Sequence, residues 1–281
     1  MVEVSYIIPV CRIDSDILPR LNALNFQINN FLAIQRNVKI ELILVEQVIK
    51  RPYNLKKYIN IPKHISFKHI VVKYPIFSKS WLYNVGFRSA KFKHCFVAEM
   101  EISSLYNDHL IDIINHVTKE NKNCYYGCKG VFFLGEELTK NLIDTNKVRV
   151  EQETRYSQIH IGKLAGGLVY FKKCFWMNRL GGANECFSNL LGNDNEIAIR
   201  TTDIDKRFKH EKFNHELLHL YHPVSKMKKA GKRSLNRKMV YFTRRHCKLI
   251  SHFLSTKKLG NIKAPLMMLF DNFKKEINAI S

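Results

Sequence analysis

The sequence predicts an α/β fold built on a largely parallel sheet. Short apolar runs recur along the first hundred residues, and stretches with apolar residues at helical spacing lie between them. Strands alternating with helices argue for parallel pairing. Two of the runs end on acidic residues, at Glu46 and at Glu99-Met100-Glu101. Ligands of such sheets sit at the carboxyl ends of the strands, so the carboxylates mark the expected site.

The elements follow in order. Val4 to Val10 reads as a buried strand that stops at Pro9, because proline has no N–H to give a sheet. Asp14-Ser15-Asp16 offers helix-capping chemistry, and Leu18, Leu21, Leu24, Ile28 and Leu32 then recur at helical spacing. Lys39 to Glu46 is the second strand and Ser66 to Lys73 the third. Ser78 to Ala90 reads as a helix, His94 to Ala98 as the fourth strand, and Asn107 to Val117 as a helix. Glu136 to Gly162 is polar and irregular, which predicts a mobile loop over the site.

A bracketed block follows, from Gly166 to Arg200. Gly166-Gly167 precedes an apolar strand, where the lack of Cβ lets backbone approach a ligand closely. A helix-like segment runs to Gly181-Gly182, followed by Asn184-Glu185. Gly192-Asn193-Asp194 reads as a loop feeding a helix, with Asp194 at the N-terminus, where backbone N–H groups favour a carboxylate. Glu216 to His222 is a short strand closed by Pro223.

Composition bounds the partners. The 281 residues are 46% apolar, as in a globular protein, and carry a formal net charge of +22. That excess implies an anionic partner: nucleic acid, an acidic membrane surface or a phosphate-bearing substrate. After Pro223 there are 15 Lys or Arg against Asp271 and Glu276, a net +13. Leu235, Met239, Phe242, Leu249 and Phe253 recur there at helical spacing between Arg237, Lys238, Arg244, Arg245 and Lys248, the pattern of a basic amphipathic helix. The chain therefore divides by composition into residues 1–223 and a basic helical extension, 224–281. Seven scattered cysteines suggest reduced thiols in a cytosolic protein, and Cys124 and Cys128 lack the second pair a zinc knuckle needs. The first residues lack the basic and apolar regions of a signal peptide, and no apolar run approaches spanning length.

Three groups of residues offer chemistry. Glu99 and Glu101 share one side of an extended chain, and two carboxylates at a strand end can hold a divalent cation that also binds a diphosphate. His215-Glu216-Leu217-Leu218-His219 matches the zincin string, but that motif works only on a helix, and Pro223 follows too soon. His222 or His219 can instead supply an imidazole to the cation held by the glutamates. Lys79, Arg88 and Arg12 are basic residues that spacing does not separate from surface charge.

Together these pieces resemble inverting glycosyltransferases of the GT-A fold, especially family 2 and the β-1,4-galactosyltransferase-like group with its C-terminal galactosyltransferase-type motif. Val4 to Val10 resembles the first strand, and Leu44-Val45-Glu46-Gln47 the second strand's end. Ser80 to Ala90 contains Asn84-Val85-Gly86-Phe87, similar to the helix before the metal motif. Phe96 to Glu101 occupies the place of the DXD motif. Gly166-Gly167, Gly181-Gly182, Asn184-Glu185 and Gly192 to Glu196 resemble the family's glycine-and-acid block, and Leu220 to Pro223 its closing histidine segment. Three departures stand out: Glu-Met-Glu replaces the usual aspartates, Asn193 stands where an acid is common, and Leu190-Leu191 replaces a tryptophan.

The resemblance implies a GT-A mixed sheet with flanking helices over residues 1–223. It implies transfer of galactose, N-acetylgalactosamine or N-acetylglucosamine from a UDP-sugar to a glycan or lipid-linked acceptor in surface polysaccharide or lipopolysaccharide synthesis. Asp194 takes the place of the base. Pro9, Val10, Arg12, Glu46, Asn84, Arg88, Glu99, Gly166 and Gly167 fall at donor positions. Asn193, Asn195 and Glu196 fall at acceptor positions. Glu99, Glu101, His222 and His219 are the expected ligands of Mn2+ or Mg2+. The basic extension suits an anionic membrane, which places the protein in the cytoplasm, peripheral on the membrane's inner face. Two alternatives stay open on the sequence: a nucleic-acid-binding protein using the basic region, and a catalytically degenerate GT-A scaffold.

Overall fold

The structure, a computed structural model, describes residues 1–11, 17–48, 55–145, 155–158, 167–187, 193–206, 213–223, 233–257, 259–261, 263, 265–266 and 270–279. Its main sheet contains β1 (Val2–Cys11), β2 (Val38–Val48), β3 (Ser66–Lys73), β4 (His94–Val97), β6 (Cys124–Tyr126) and β9 (Val169–Lys172). The spatial order is β3-β2-β1-β4-β9-β6. β1, β2, β3 and β4 run parallel, and β9 is antiparallel to both its neighbours, so the sheet is mixed. A smaller sheet has the order β5-β10-β7-β8, with β5 at Ile102–Ser103, β7 at Gly130–Phe133, β8 at Arg155–Gln158 and β10 at Glu216–His219.

β2 is buried at every position except Lys39, as expected of a parallel strand covered on both faces. The chain steps outward from β1 to β3 and then returns to the far side of β1 as β4. The order reverses between β1 and β4, which puts a crevice at their carboxyl ends. α2 (Lys79–Ser89) makes that return crossing. It lies close against β1, since a Cβ on Gly86 would sit 2.4 Å from Ile7 Cγ2. The glycine of the Asn-Val-Gly-Phe motif is thus a packing requirement.

β1 does not stop at Pro9 but continues to Cys11. The carbonyl of Ile7 accepts from Ala98 N at 3.1 Å, so alternate residues of β1 face the β4 side. Pro9 faces that side beyond the end of β4, where no partner asks for its missing N–H. The expected loop from Glu136 begins instead as α4 (Glu136–Thr145), with Leu142 buried and Leu138 packed beside it. β8 follows, and the remainder of that segment lies outside the described residues.

The other helices are α1 (Leu18–Gln27), α3 (His109–Lys119), α5 (Asn193–Ile204), α6 (Arg233–Thr256) and α7 (Phe270–Asn278). α6 contains a non-helical residue, His246, where it kinks. Its apolar face is not free: Met239, Phe242, Ile250, Phe253 and Leu254 form a second core with Cys186, Phe187, Phe273 and Ile277. The following segment is bonded into the first core as well. Trp81 Nε1 donates to the Asn261 carbonyl at 2.7 Å, and Glu185 accepts from Gly260 N at 2.5 Å and Leu266 N at 2.6 Å. The compositional boundary at Pro223 is therefore not a packing boundary among the described residues. None of their helices is long and apolar enough to cross a membrane. Cys124 and Cys128 are buried in the main core.

Candidate active site

The crevice beyond β1 and β4 collects charge from four elements. β4 leads directly into Glu99 and Glu101, because Ala98 is still held to Ile7. α2 contributes Lys79 from its first turn, α5 contributes Asp194 from its first turn, and β10 leads into His219 and His222. Lys79 Nζ lies 2.5 Å from Glu99 Oε1 and 3.2 Å from both carboxylate oxygens of Asp194. His219 Nε2 lies 3.9 Å from Glu99 Oε2, and His222 Nε2 lies 3.9 Å from Glu101 Oε1. Arg20, on α1, forms an ion pair with Glu101.

The environment separates the two carboxylates next to Lys79. Burial disfavours the charge of Glu99, but Lys79, His219 and His222 outweigh it and bring the pKa down to about 2. Burial pushes Asp194 up from its ordinary value, and Glu99 adds to this while Lys79 opposes it. Burial also moves His222 down, towards the neutral imidazole. Lys79 is pulled towards its neutral form by burial, but Asp194 and Glu99 more than restore its charge.

Glu101, His219 and His222 each offer an atom within 4.8 Å of the others, a spacing that suits a divalent cation. The histidine tautomers fit this role. His219 Nδ1 lies 3.0 Å from the Leu220 carbonyl and His222 Nδ1 3.0 Å from the Pro223 carbonyl. A carbonyl only accepts, so each Nδ1 donates, and Nε2 is the ring atom on each histidine that can turn a lone pair to a cation when unprotonated. The donor set of two imidazoles and a carboxylate suits a divalent transition-metal ion better than Mg2+, which prefers oxygen ligands. Glu99 differs from the sequence expectation in that its nearer partner is Lys79.

The other expected residues divide. Pro9 and Val10 lie at the carboxyl end of β1, and Gly167 lines a cavity of about 20 Å³ with Lys79, Glu99 and Asp194. Asn195 is half-buried beside Asp194. Arg12, Gly166 and the side chain of Asn193 lie outside the described residues. Four residues are occupied elsewhere. Asn84 is buried, donating to the Ala183 carbonyl at 2.7 Å and accepting from Trp176 Nε1 at 3.1 Å. Glu46 is fully buried and sits 2.9 Å from His69 Nε2. Glu196 is fully buried in a bidentate pair with Arg200, at 2.5 and 3.0 Å, and Arg200 in turn bonds the Gly182 carbonyl. Arg88 is exposed in the last turn of α2, at the opposite end of that helix from Lys79. Asn84, Glu46 and Glu196 thus have their partners outside the Lys79–Glu99–Asp194 cluster, and Arg88 lies at the far end of α2 from it.

The zincin reading also fails on geometry, since Glu216–His219 is a strand and not a helix. Sequence reasoning missed Arg20 as a partner of Glu101. Arg20 carries no local signal, as it sits among ordinary helix residues.

The strand order, the switch point and the acidic end of β4 can be compared with known folds. Solved glycosyltransferase structures match the chain. One is S. aureus TarS 1–349 in complex with UDP-GlcNAc, with TM-score 0.56 and 10% identity over 90% of this chain and 71% of that one. Another is the mannosyltransferase PcManGT from Pyrobaculum calidifontis in complex with GDP-Man and Mn2+, with TM-score 0.50 and 15% identity over 98% of this chain and 68% of that one. The fold is GT-A. No protein-family model matches the chain, and no curated protein matches it in sequence. Within the GT-A fold, the Glu99–Glu101 segment occupies the end of the strand beside the switch point, and Asp194 faces it from α5.

Proposed function

We propose that this protein is an inverting glycosyltransferase that moves a sugar from a UDP-sugar to a glycan or lipid-linked acceptor. The observation that carries the reading is the meeting of Asp194 with Glu99, through Lys79, at the carboxyl end of β4. In the reaction the acceptor oxygen bonds to the anomeric carbon as the bond from that carbon to the diphosphate oxygen breaks. The electron pair of that bond leaves with the nucleoside diphosphate, and the acceptor proton passes to Asp194, which acts as general base. Single displacement inverts the anomeric centre.

Glu101, His219 and His222 would hold the divalent cation, and a bound cation supplies charge that neutralises a departing diphosphate. Asp194 is suited to the base role because it retains accessible surface at 23%, whereas Glu185 and Glu196 are enclosed and bonded. Gly167 brings backbone next to the same crevice without a side chain.

The acceptor side is read from charge. Lys238, Arg244, Arg245, Lys248 and His252 lie on the exposed side of α6, opposite its buried apolar face. That face supports contact with an anionic membrane surface, held by charge and without insertion. The finer assignments of donor sugar among galactose, N-acetylgalactosamine and N-acetylglucosamine rest on resemblance.

A thermal-shift screen of nucleotide sugars with and without Mn2+ tests the reading, since a ligand that binds only the folded state raises stability by mass action. Stabilisation by a UDP-sugar, strengthened by Mn2+, is the expected result. No shift with any nucleotide sugar would contradict it.

A further inference from the structure

Lys79 is an unlikely place for a lysine on local grounds. It is 5% accessible, and it occupies the first turn of α2. A helix N-terminus carries partial positive charge and disfavours a cation. Burial of an unpaired ammonium is costly as well. Within its own helix the ammonium has only Tyr83, through its ring 5.5 Å away and a side-chain hydrogen bond to its hydroxyl. What holds the charge is tertiary: Glu99 at 2.5 Å on one side and both oxygens of Asp194 at 3.2 Å on the other.

The two partners belong to differently anchored elements. Glu99 is two residues beyond the end of β4, and the helix carrying Lys79 is fixed by its cap. Ser78 Oγ accepts from Trp81 N at 3.3 Å and donates to the Phe187 carbonyl at 3.1 Å, while Ser78 N donates to Gln47 Oε1 at 3.1 Å. Asp194 belongs to the first turn of α5. The ammonium therefore ties the start of α5 to the end of the sheet.

We infer that Lys79 is a positioning residue for the proposed base, fixing the Asp194 carboxylate against the carboxyl end of β4. Two equal contacts set the plane of the carboxylate as well as its place. A general base must keep a lone pair within hydrogen-bond reach of the hydroxyl it deprotonates, and a misplacement of about 1 Å can cost on the order of 10²-fold in rate. The inference rests on the proposed function. It also divides the acidic residues of the Glu-Met-Glu segment: Glu99 anchors the lysine, and Glu101 joins the two histidines.

The test is a double-mutant cycle of wild type, Lys79→Met, Asp194→Asn and the double variant, read by kcat, donor KM and unfolding free energy. Lys79→Met should lower kcat at least ~10-fold through misplacement of the base, with donor KM close to wild type. In the Asp194→Asn background the same change should cost nothing further in kcat, because the group it positions is already disabled. Lys79→Arg should recover part of the loss. In unfolding, Lys79→Met leaves two facing carboxylates, and adding Asp194→Asn should restore part of the lost stability. If Lys79→Met does not fold, Lys79→Gln replaces it in the cycle. Multiplicative losses in kcat would overturn the inference, as would a raised donor KM with unchanged kcat. A wild-type protein that transfers no sugar overturns the proposed function. The unfolding cycle then still reads the contact, and additive unfolding energies overturn it independently.

Discussion

Asn84 Nδ2 lies 3.0 Å from Glu185 Oε1, joining the helix motif of α2 to the glycine-and-acid block a hundred residues later. The same Asn84 side chain accepts from Ala183 N at 2.8 Å, and a Cβ on Gly182 would fall 2.6 Å from its Oδ1. Glu185 then carries the link to Gly260 and Leu266. Asn84→Ala should destabilise the protein by on the order of 3 kcal/mol, because it orphans several buried groups at once. Urea unfolding checks this, and a loss within error of zero would contradict the keystone role.

Glu185 also gives stability a pH dependence. Burial pushes its carboxyl up from the ordinary 4.5, against the opposing bonds from Leu266, Asn84 and Gly260. A group with a raised folded pKa binds more protons folded than unfolded between the two values. Its contribution to stability therefore falls as pH rises from about 4.5 through the folded value. Glu185→Gln should flatten that fall in a series of unfolding curves above pH 4.5. An unchanged pH slope would show that Glu185 titrates alike in both states.

Much of the main sheet was legible because its strands are apolar runs whose burial follows from composition. The extension of β1 past Pro9 was not, since it depends on where β4 ends. Of the smaller sheet only β10 was legible; β5, β7 and β8 are two to four residues long and draw their stability from neighbours distant in sequence. α4 did carry a signal, Leu138 and Leu142 at helical spacing, masked by the polar residues around them. In the site, Glu99, Glu101, His219, His222 and Asp194 could be picked out because motifs surround them. Lys79 and Arg20 could not be separated from surface charge, because a long basic side chain gains its meaning from partners that only the fold supplies.

The metal set predicts a binding signature. Mn2+ should raise the thermal midpoint of the wild-type protein, and His222→Ala or Glu101→Gln should abolish that shift. The second-site pattern is also specific: Asp194→Asn should retain it. Calorimetry with Mn2+ alone provides an independent reading. Full transfer activity in EDTA, together with an active Glu101→Ala, would contradict a metal role for this cluster.

The basic side of α6 predicts electrostatic membrane contact. Arg244, Arg245 and Lys248 are exposed, so replacing all three by Glu should leave the fold intact. Each basic residue near an anionic surface is worth about 1 kcal/mol, so removing three positive charges should weaken binding to acidic vesicles by at least about 10²-fold. Flotation with acidic and neutral liposomes at two salt concentrations checks this. Binding that ignores salt and survives the triple change would contradict it.

The central claim is that Asp194 takes the acceptor proton, and the most direct measurement is the transfer rate of Asp194→Asn. Asparagine keeps the shape and can still accept a hydrogen bond from Lys79, but it is no base. The rate should fall at least about 10²-fold, the lower end of general-base contributions, while UDP-sugar affinity and the thermal midpoint stay near wild type. Transfer by Asp194→Asn at close to the wild-type rate would contradict the account.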